Sequence, residues 1–215
     1  MGHRPETEGS IAGIDRSLVG VAGWARRSPV WLHFWRFLAN PFRVVAVVPA
    51  SNAMARLIAR QVRRKDHELV VELGAGTGAV TRALLAAGVP SNRLVAVELD
   101  ARMAEFLRSA LPGVTIVEGD AFDLTSTLPA QVMEQVGTVI CGVPLAAEPL
   151  DRQRRFVSEA LSLLAPGGRL LVFSYWITSP LPAARLGLSC VGRAFTARNF
   201  PPASVWIYER AGGGA

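Results

Sequence analysis

The chain is poor in the residues from which small folds build staples or metal centres. Its 215 residues include two cysteines, Cys141 and Cys190, and three histidines. Two cysteines so far apart make neither a disulfide framework nor a metal-ligand spacing. No metal is expected, and a reducing cytosol is the default compartment. Long apolar runs are missing as well. Half of the residues are hydrophobic and the mean hydropathy is +0.29. Even so, no stretch approaches the roughly 18–20 apolar residues of a membrane span. The longest candidate, "VVAVVPA" at 44–50, is too short and contains a proline. The order of a signal peptide (basic start, apolar middle, small-residue cleavage site) is not found, so none is expected.

What the chain does have is unevenly placed. Residues 1–65 carry eleven basic and three acidic residues, whereas 66–215 carry twelve and fourteen, so the net charge of +6 belongs to the N-terminal third. The same third is aromatic: Trp24 and "SPVWLHFWRFLANPF" (28–42) hold six of the chain's sixteen aromatic residues. Ser28-Pro29 reads as a helix start and Asn40-Pro41 as its stop. On a helix over 29–39, Trp31, Phe34, Trp35 and Leu38 share one face, opposite His33, Arg36 and Asn40. A Trp/Phe face among Arg16, Arg26, Arg27, Arg36 and Arg43 suits a bilayer interface. Each basic residue near anionic lipid adds roughly 1 kcal/mol before screening. Packing of the same face on the core is the alternative. A second helix is expected through "SNAMARLIARQV" with Ser51 as its cap, followed by a solvated linker, "RRKDH" (63–67).

Beyond residue 66 the pattern alternates. Strand-like runs at 69–73, 93–99, 114–119, 136–142 and 169–175 are separated by helix-length segments at 77–88, 101–111, about 123–135 and 149–164. Alternation of this kind argues for an α/β fold with a mainly parallel sheet covered on both faces. Two further runs, 188–197 and 203–209, are joined by "NFPP", which favours a hairpin with the final strand antiparallel.

"VVELGAGTGAVTRALL" (70–85) is a strand, a glycine turn and a helix. Gly74, Gly76 and Gly78 permit positive φ and close ligand approach, and the helix start offers free N–H groups. Such a turn alone fits NAD, FAD and S-adenosylmethionine sites alike. Three acids sharpen it: Glu72 before the glycines, Glu98 ending the second strand, where a carboxylate can accept both hydroxyls of a ribose, and Asp120 ending the third.

These motifs resemble those of the class I S-adenosylmethionine-dependent methyltransferases, with "ELGAGTG" as the first motif, Glu98 as the ribose acid and "GDA" as the adenine loop. The resemblance implies a Rossmann-like sheet of seven strands. It also implies S-adenosylmethionine as cofactor, held by Glu72, Gly74, Gly76, Gly78, Glu98, Leu99, Asp120, Ala121 and Gly142. A dehydrogenase is disfavoured because "GAGTG" lacks the full G-x-G-x-x-G spacing.

Two acceptor classes compete. "VVELGAGTGAVTRALL" and "VAVELD" look like the rRNA adenine dimethyltransferases, but those need an Asn-Leu-Pro-Tyr-type motif after the fourth strand. Gly142 and Leu145 stand in place of its asparagine and aromatic residue, so no nucleic-acid partner is expected. "FLANPFRVVAVVPASNAMAR" (37–56), "GVPL" (142–145), "FSYW" (173–176) and "NFPPASVWIYER" (199–210) resemble the bacterial soluble-type phospholipid N-methyltransferases. That resemblance implies methylation of phosphatidylethanolamine towards phosphatidylcholine by a peripheral enzyme on the inner face of the cytoplasmic membrane. Its partners would be anionic membrane surface and phosphatidylethanolamine-type lipid. "AAEP" (146–149) departs from the more apolar stretch usual there.

An amine acceptor must lose a proton, and its product is more cationic. Tyr175 is accordingly the candidate for bonding the amine, Trp176 for a cage wall and Asn199 for orienting the amine. Val143, Pro144 and Leu145 are expected to line the transfer pocket. Arg43 and Arg198 are candidates for a lipid phosphate, and Trp206, Tyr208 and both cysteines for the core. The expected organisation is a membrane-binding and lid segment over 1–65, a methyltransferase domain over 66–210 and a tail over 211–215. A soluble methyltransferase acting on RNA or a small amine, and a non-catalytic S-adenosylmethionine-binding membrane protein, are the other readings.

Overall fold

The computed structural model describes residues 51–174, 178–199 and 202–212. Within them a short helix, α1 (Asn52–Ala59), precedes the sheet, and Ser51 caps it by accepting a hydrogen bond at Oγ from Met54 N at 3.2 Å. Met54, Ala55, Ile58 and Ala59 lie on one face and are buried among Val70, Leu84, Val205 and Ile207. The described end of the basic N-terminal segment is therefore core. The "RRKDH" stretch is tied down where Thr138 Oγ1 accepts from Arg63 N at 3.0 Å and donates to Arg63 O at 2.6 Å.

Among the described residues the seven strands are β1 (Leu69–Leu73), β2 (Leu94–Glu98), β3 (Thr115–Glu118), β4 (Val136–Cys141), β5 (Leu164–Ser174), β6 (Leu188–Thr196) and β7 (Ala203–Arg210). Their order is β3-β2-β1-β4-β5-β7-β6. Strands β1 to β5 are mutually parallel, and β7 runs antiparallel between β5 and β6. Every residue of β4 is buried, as a central strand covered on both faces requires. The chain leaves β1 towards β2 on one side and β4 lies on the other, so the crevice of the sheet opens at the carboxyl end of β1.

Helices α2 (Ala79–Ala86), α3 (Ala101–Ala110) and α5 (Leu150–Leu163) cross between strands, with Phe156, Val157 and Ala160 of α5 in the largest core cluster. Two expected boundaries differ. The helix expected over 123–135 is only α4 (Leu124–Thr127) and a single 3-10 turn, because Pro129 has no N–H to continue the ladder. Strand β5 begins at Leu164, so the "PGG" expected to precede it lies inside. Pairing with β4 slips register between Val136 and Thr138 to accommodate it.

Gly78, at the N-cap of α2, has φ +76°, and a Cβ there would lie 2.8 Å from Leu107 Cδ2 on α3. Gly78→Ala should therefore combine left-handed strain with overpacking and cost about 2–4 kcal/mol. Urea denaturation should show a lower midpoint at unchanged slope. An unshifted midpoint would mean that α3 can move away freely.

Candidate active site

The parallel strands bring the ends of β1, β2, β3, β4 and β5 to one edge of the sheet. The β6–β7 connection returns at that edge, since Ser204 at the start of β7 pairs with Ser174 at the end of β5. Gly74 N and Ala75 N donate to Val97 O at 2.9 and 3.1 Å, which ties the glycine turn to β2. On its other side the turn touches the loop after β4. Gly142 N donates to Leu73 O at 2.7 Å, and a Cβ on Gly74 would lie 2.9 Å from Val143 Cγ1. Gly76 has φ +55° and nothing within 4 Å of where its Cβ would be, so it forms an open floor.

Glu98 stands over that floor. Its Oε2 accepts from Gly76 N at 2.7 Å and its Oε1 from Asp100 N at 3.0 Å. Leu99 beside it is 54% exposed, an apolar side chain held at the rim in water. Asp120 Oδ1 accepts from Phe122 N at 2.8 Å and its carbonyl accepts from Thr127 Oγ1 at 3.0 Å, so its polar groups shape its own loop over buried Ala121. Glu72 lies beneath the turn, 2% exposed, with Thr81 Oγ1 donating to its Oε2 at 2.6 Å. Burial pushes its carboxyl up to about 7, the Thr81 bond opposes this, and the charge of Glu98 adds to it.

The two motif sets predicted from sequence thus meet: Gly74, Gly76, Glu98, Gly142 and Val143 are in direct contact or one hydrogen bond apart. Val143 and Pro144 are half-buried, but Leu145 is packed into the core and has no surface to line a pocket. Asn199 is buried in the β6–β7 connection. Tyr175 and Trp176 lie outside the described residues, as do Trp31, Phe34, Trp35, Arg36, Leu38 and Arg43. Tyr208 is a core residue, its hydroxyl 2.8 Å from Ser179 Oγ and pushed up to about 12 by burial.

One cluster escaped the sequence reading. Arg152 lies 4.3 Å over the Phe122 ring and pairs with Glu148 at 2.9 Å, while Phe122 packs on Phe156 at 5.5 Å. It joins the Asp120 loop to the start of α5 and gives the polar "AAEP" departure a local cause. The i, i+4 spacing of Glu148 and Arg152 was the available signal.

These residues fit S-adenosylmethionine. Glu98 has lone pairs left for ribose hydroxyls, Leu99 offers an apolar edge for a base, and Gly76 leaves room at a helix start. Residues 70–168 match the family described as a methyltransferase domain. The ornithine lipid N-methyltransferase of Singulisphaera acidiphila is 29% identical over 82% of this chain and 94% of its own length. The ribosomal RNA small subunit methyltransferase A of Chlorobium phaeobacteroides is 32% identical over 56% of this chain, which spans only 47% of that protein. Among solved structures, a glycopeptide N-methyltransferase complexed with S-adenosylmethionine superposes with a TM-score of 0.58 at 16% identity, covering 77% of this chain and 89% of that one. The fold is the Rossmann-like fold of the methyltransferases, with S-adenosylmethionine as the cofactor.

Proposed function

We propose that this S-adenosylmethionine-dependent methyltransferase acts on the amine of a membrane lipid: phosphatidylethanolamine and its methylated forms, towards phosphatidylcholine. The observation that carries the reading is the span of the lipid relative, matched over 94% of its length, whereas the ribosomal RNA relative is matched over 47%. Gly142 and Leu145, in place of an asparagine and an aromatic residue, weigh in the same direction. The relative's own acceptor makes an ornithine-type lipid amine the second reading. Both acceptors present a primary amine beside an anionic group.

The bound cofactor supplies an electrophilic methyl group on a sulfonium centre. The chain's residues must deliver a neutral amine in line with it, and alignment alone accounts for several kcal/mol of such barriers. Tyr175 takes the amine's hydrogen bond, Trp176 faces the methylated ammonium and Asn199 orients the amine from the β6–β7 connection. Within segment 1–65, the aromatic and basic residues ahead of α1 act at the inner face of the cytoplasmic membrane.

The test is incubation with methyl-labelled cofactor and liposomes of phosphatidylethanolamine with phosphatidylglycerol, run in parallel with liposomes containing ornithine lipid. Label in methylated phosphatidylethanolamine supports the first reading, and label only in ornithine lipid supports the second. Absence of label in both, with binding to cofactor and liposomes intact, removes the lipid acceptor. Tyr175→Phe should lower turnover by roughly 100-fold while leaving the affinity for S-adenosylhomocysteine unchanged. Full turnover would take Tyr175 out of the mechanism.

A further inference from the structure

Arg193 lies on β6, the edge strand of the sheet, and no carboxylate among the described residues pairs with it. Its Nε and Nη2 both donate to Ser204 Oγ, at 3.0 and 2.8 Å. The guanidinium carbon lies 5.0 Å from the Trp206 ring centroid and 5.8 Å from that of Phe195. A guanidinium has five N–H groups, and here two are used on one neutral hydroxyl. The charge is thus held in a fixed orientation with most of its donors left over, which is how arginine is prepared for an oxyanion. Trp206 Nε1, in the same cluster, is buried without an acceptor.

The place matters as much as the charge. Ser204 pairs with Ser174, the last residue of β5 before Tyr175 and Trp176, and adjacent strands are about 4.8 Å apart. Ser204, which the guanidinium bonds, therefore sits roughly one strand spacing from the carboxyl end of β5, and the charge lies one hydrogen bond beyond it. Phe195 beside it is 56% exposed and sets an apolar surface next to the charge. Arg198, one of the two arginines suggested by sequence for a phosphate, is exposed, and Arg43 lies outside the described residues.

We propose that Arg193 is the anion-binding residue of the headgroup site, receiving the phosphate or carboxylate that a zwitterionic lipid carries beside its amine. This rests on the lipid-amine reading for the ligand class. It explains why an edge-strand arginine is seated on a hydroxyl and two rings rather than on an acid. Arg193 binds the lipid through its anion and takes no part in the transfer itself.

The test is calorimetric titration of the full chain, loaded with S-adenosylhomocysteine, with dihexanoyl phosphatidylethanolamine, a short-chain N-acyl ornithine and dodecylamine. Arg193→Gln should bind one or both zwitterions at least about tenfold more weakly, with a smaller loss in Arg193→Lys. Dodecylamine, which has no anion, and S-adenosylhomocysteine should bind the variant and the parent alike. Which zwitterion depends on Arg193 distinguishes phosphate from carboxylate. In turnover, KM for the zwitterion should rise while kcat stays within a few-fold. Equal zwitterion affinity in the variant, a parallel loss for dodecylamine, or no zwitterion binding by the parent protein would each overturn the proposal. Arg193-dependent binding without any lipid methylation would keep the anion site and sink the acceptor reading instead.

Discussion

Glu98→Ala should lower the affinity for S-adenosylhomocysteine by about 100-fold or more, since hydrogen bonds to a charged group contribute roughly 1.5–3 kcal/mol each. The carboxylate has two tasks at once. It accepts from Gly76 N at 2.7 Å and from Asp100 N at 3.0 Å, which fixes the glycine turn against the start of α3. Its remaining lone pairs would be the ones to accept from ribose hydroxyls. Alanine removes both, leaving two backbone donors without their acceptor and the ligand without its own. Glu98→Gln keeps one acceptor but turns an NH2 towards backbone donors, so it should fall between the two. Titration calorimetry measures both variants directly. An affinity within threefold of the parent protein for Glu98→Ala would show that the carboxylate serves only the turn.

Glu72→Gln should make the protein more stable at pH 8 and no more stable at pH 4. Glu72 is 2% exposed, and burial raises its carboxyl from an ordinary 4.5 to about 7. Below pH 4.5 both folded and unfolded chains carry the proton, and the full contribution of the neutral group is present. Between 4.5 and about 7 the unfolded chain releases its proton while the folded chain keeps it, so stability falls as pH rises. Above that window both are ionised and the loss is complete, on the order of 3 kcal/mol at 1.36 kcal/mol per unit. Glutamine removes the titration while its carbonyl can still accept from Thr81 Oγ1. Denaturant midpoints at pH 4, 6 and 8 should therefore converge in acid and separate in base. A parent protein that stays the more stable at pH 8 would mean that the buried charge is compensated.

The central strands were legible because strands buried on both faces are nearly continuous apolar runs. "LVVEL" and "VGTVIC" could hardly be anything else once turns bounded them. The extra turn of β5 was hidden because "PGG" signals a stop, and only the irregular pairing with β4 carries the strand across it. Pro129 was the visible warning against a long helix after Asp123. In the site, glycines and acids declared themselves by spacing, but their roles did not. That Glu98 bonds Gly76 and Glu72 bonds Thr81 follows from how α2 and β2 approach the turn. Leu145 reads as a pocket residue in "GVPL", yet a 3-10 turn directs it inward. The seating of Arg193 on Ser204, Trp206 and Phe195 depends on the register of a hairpin, which composition cannot announce.

The position of β7 between β5 and β6 also bears on how the molecule comes into being. Until the last hairpin is made, β5 is a sheet edge, and "LLVF" (170–173) offers it unpaired backbone and apolar side chains. Such an edge invites pairing with another chain. Synthesis leaves it bare while the hairpin, whose final strand pairs with residues 30 or more positions earlier in the chain, is being completed. The hairpin that returns to the carboxyl edge of the sheet is thus the same one that protects the nascent sheet from its neighbours.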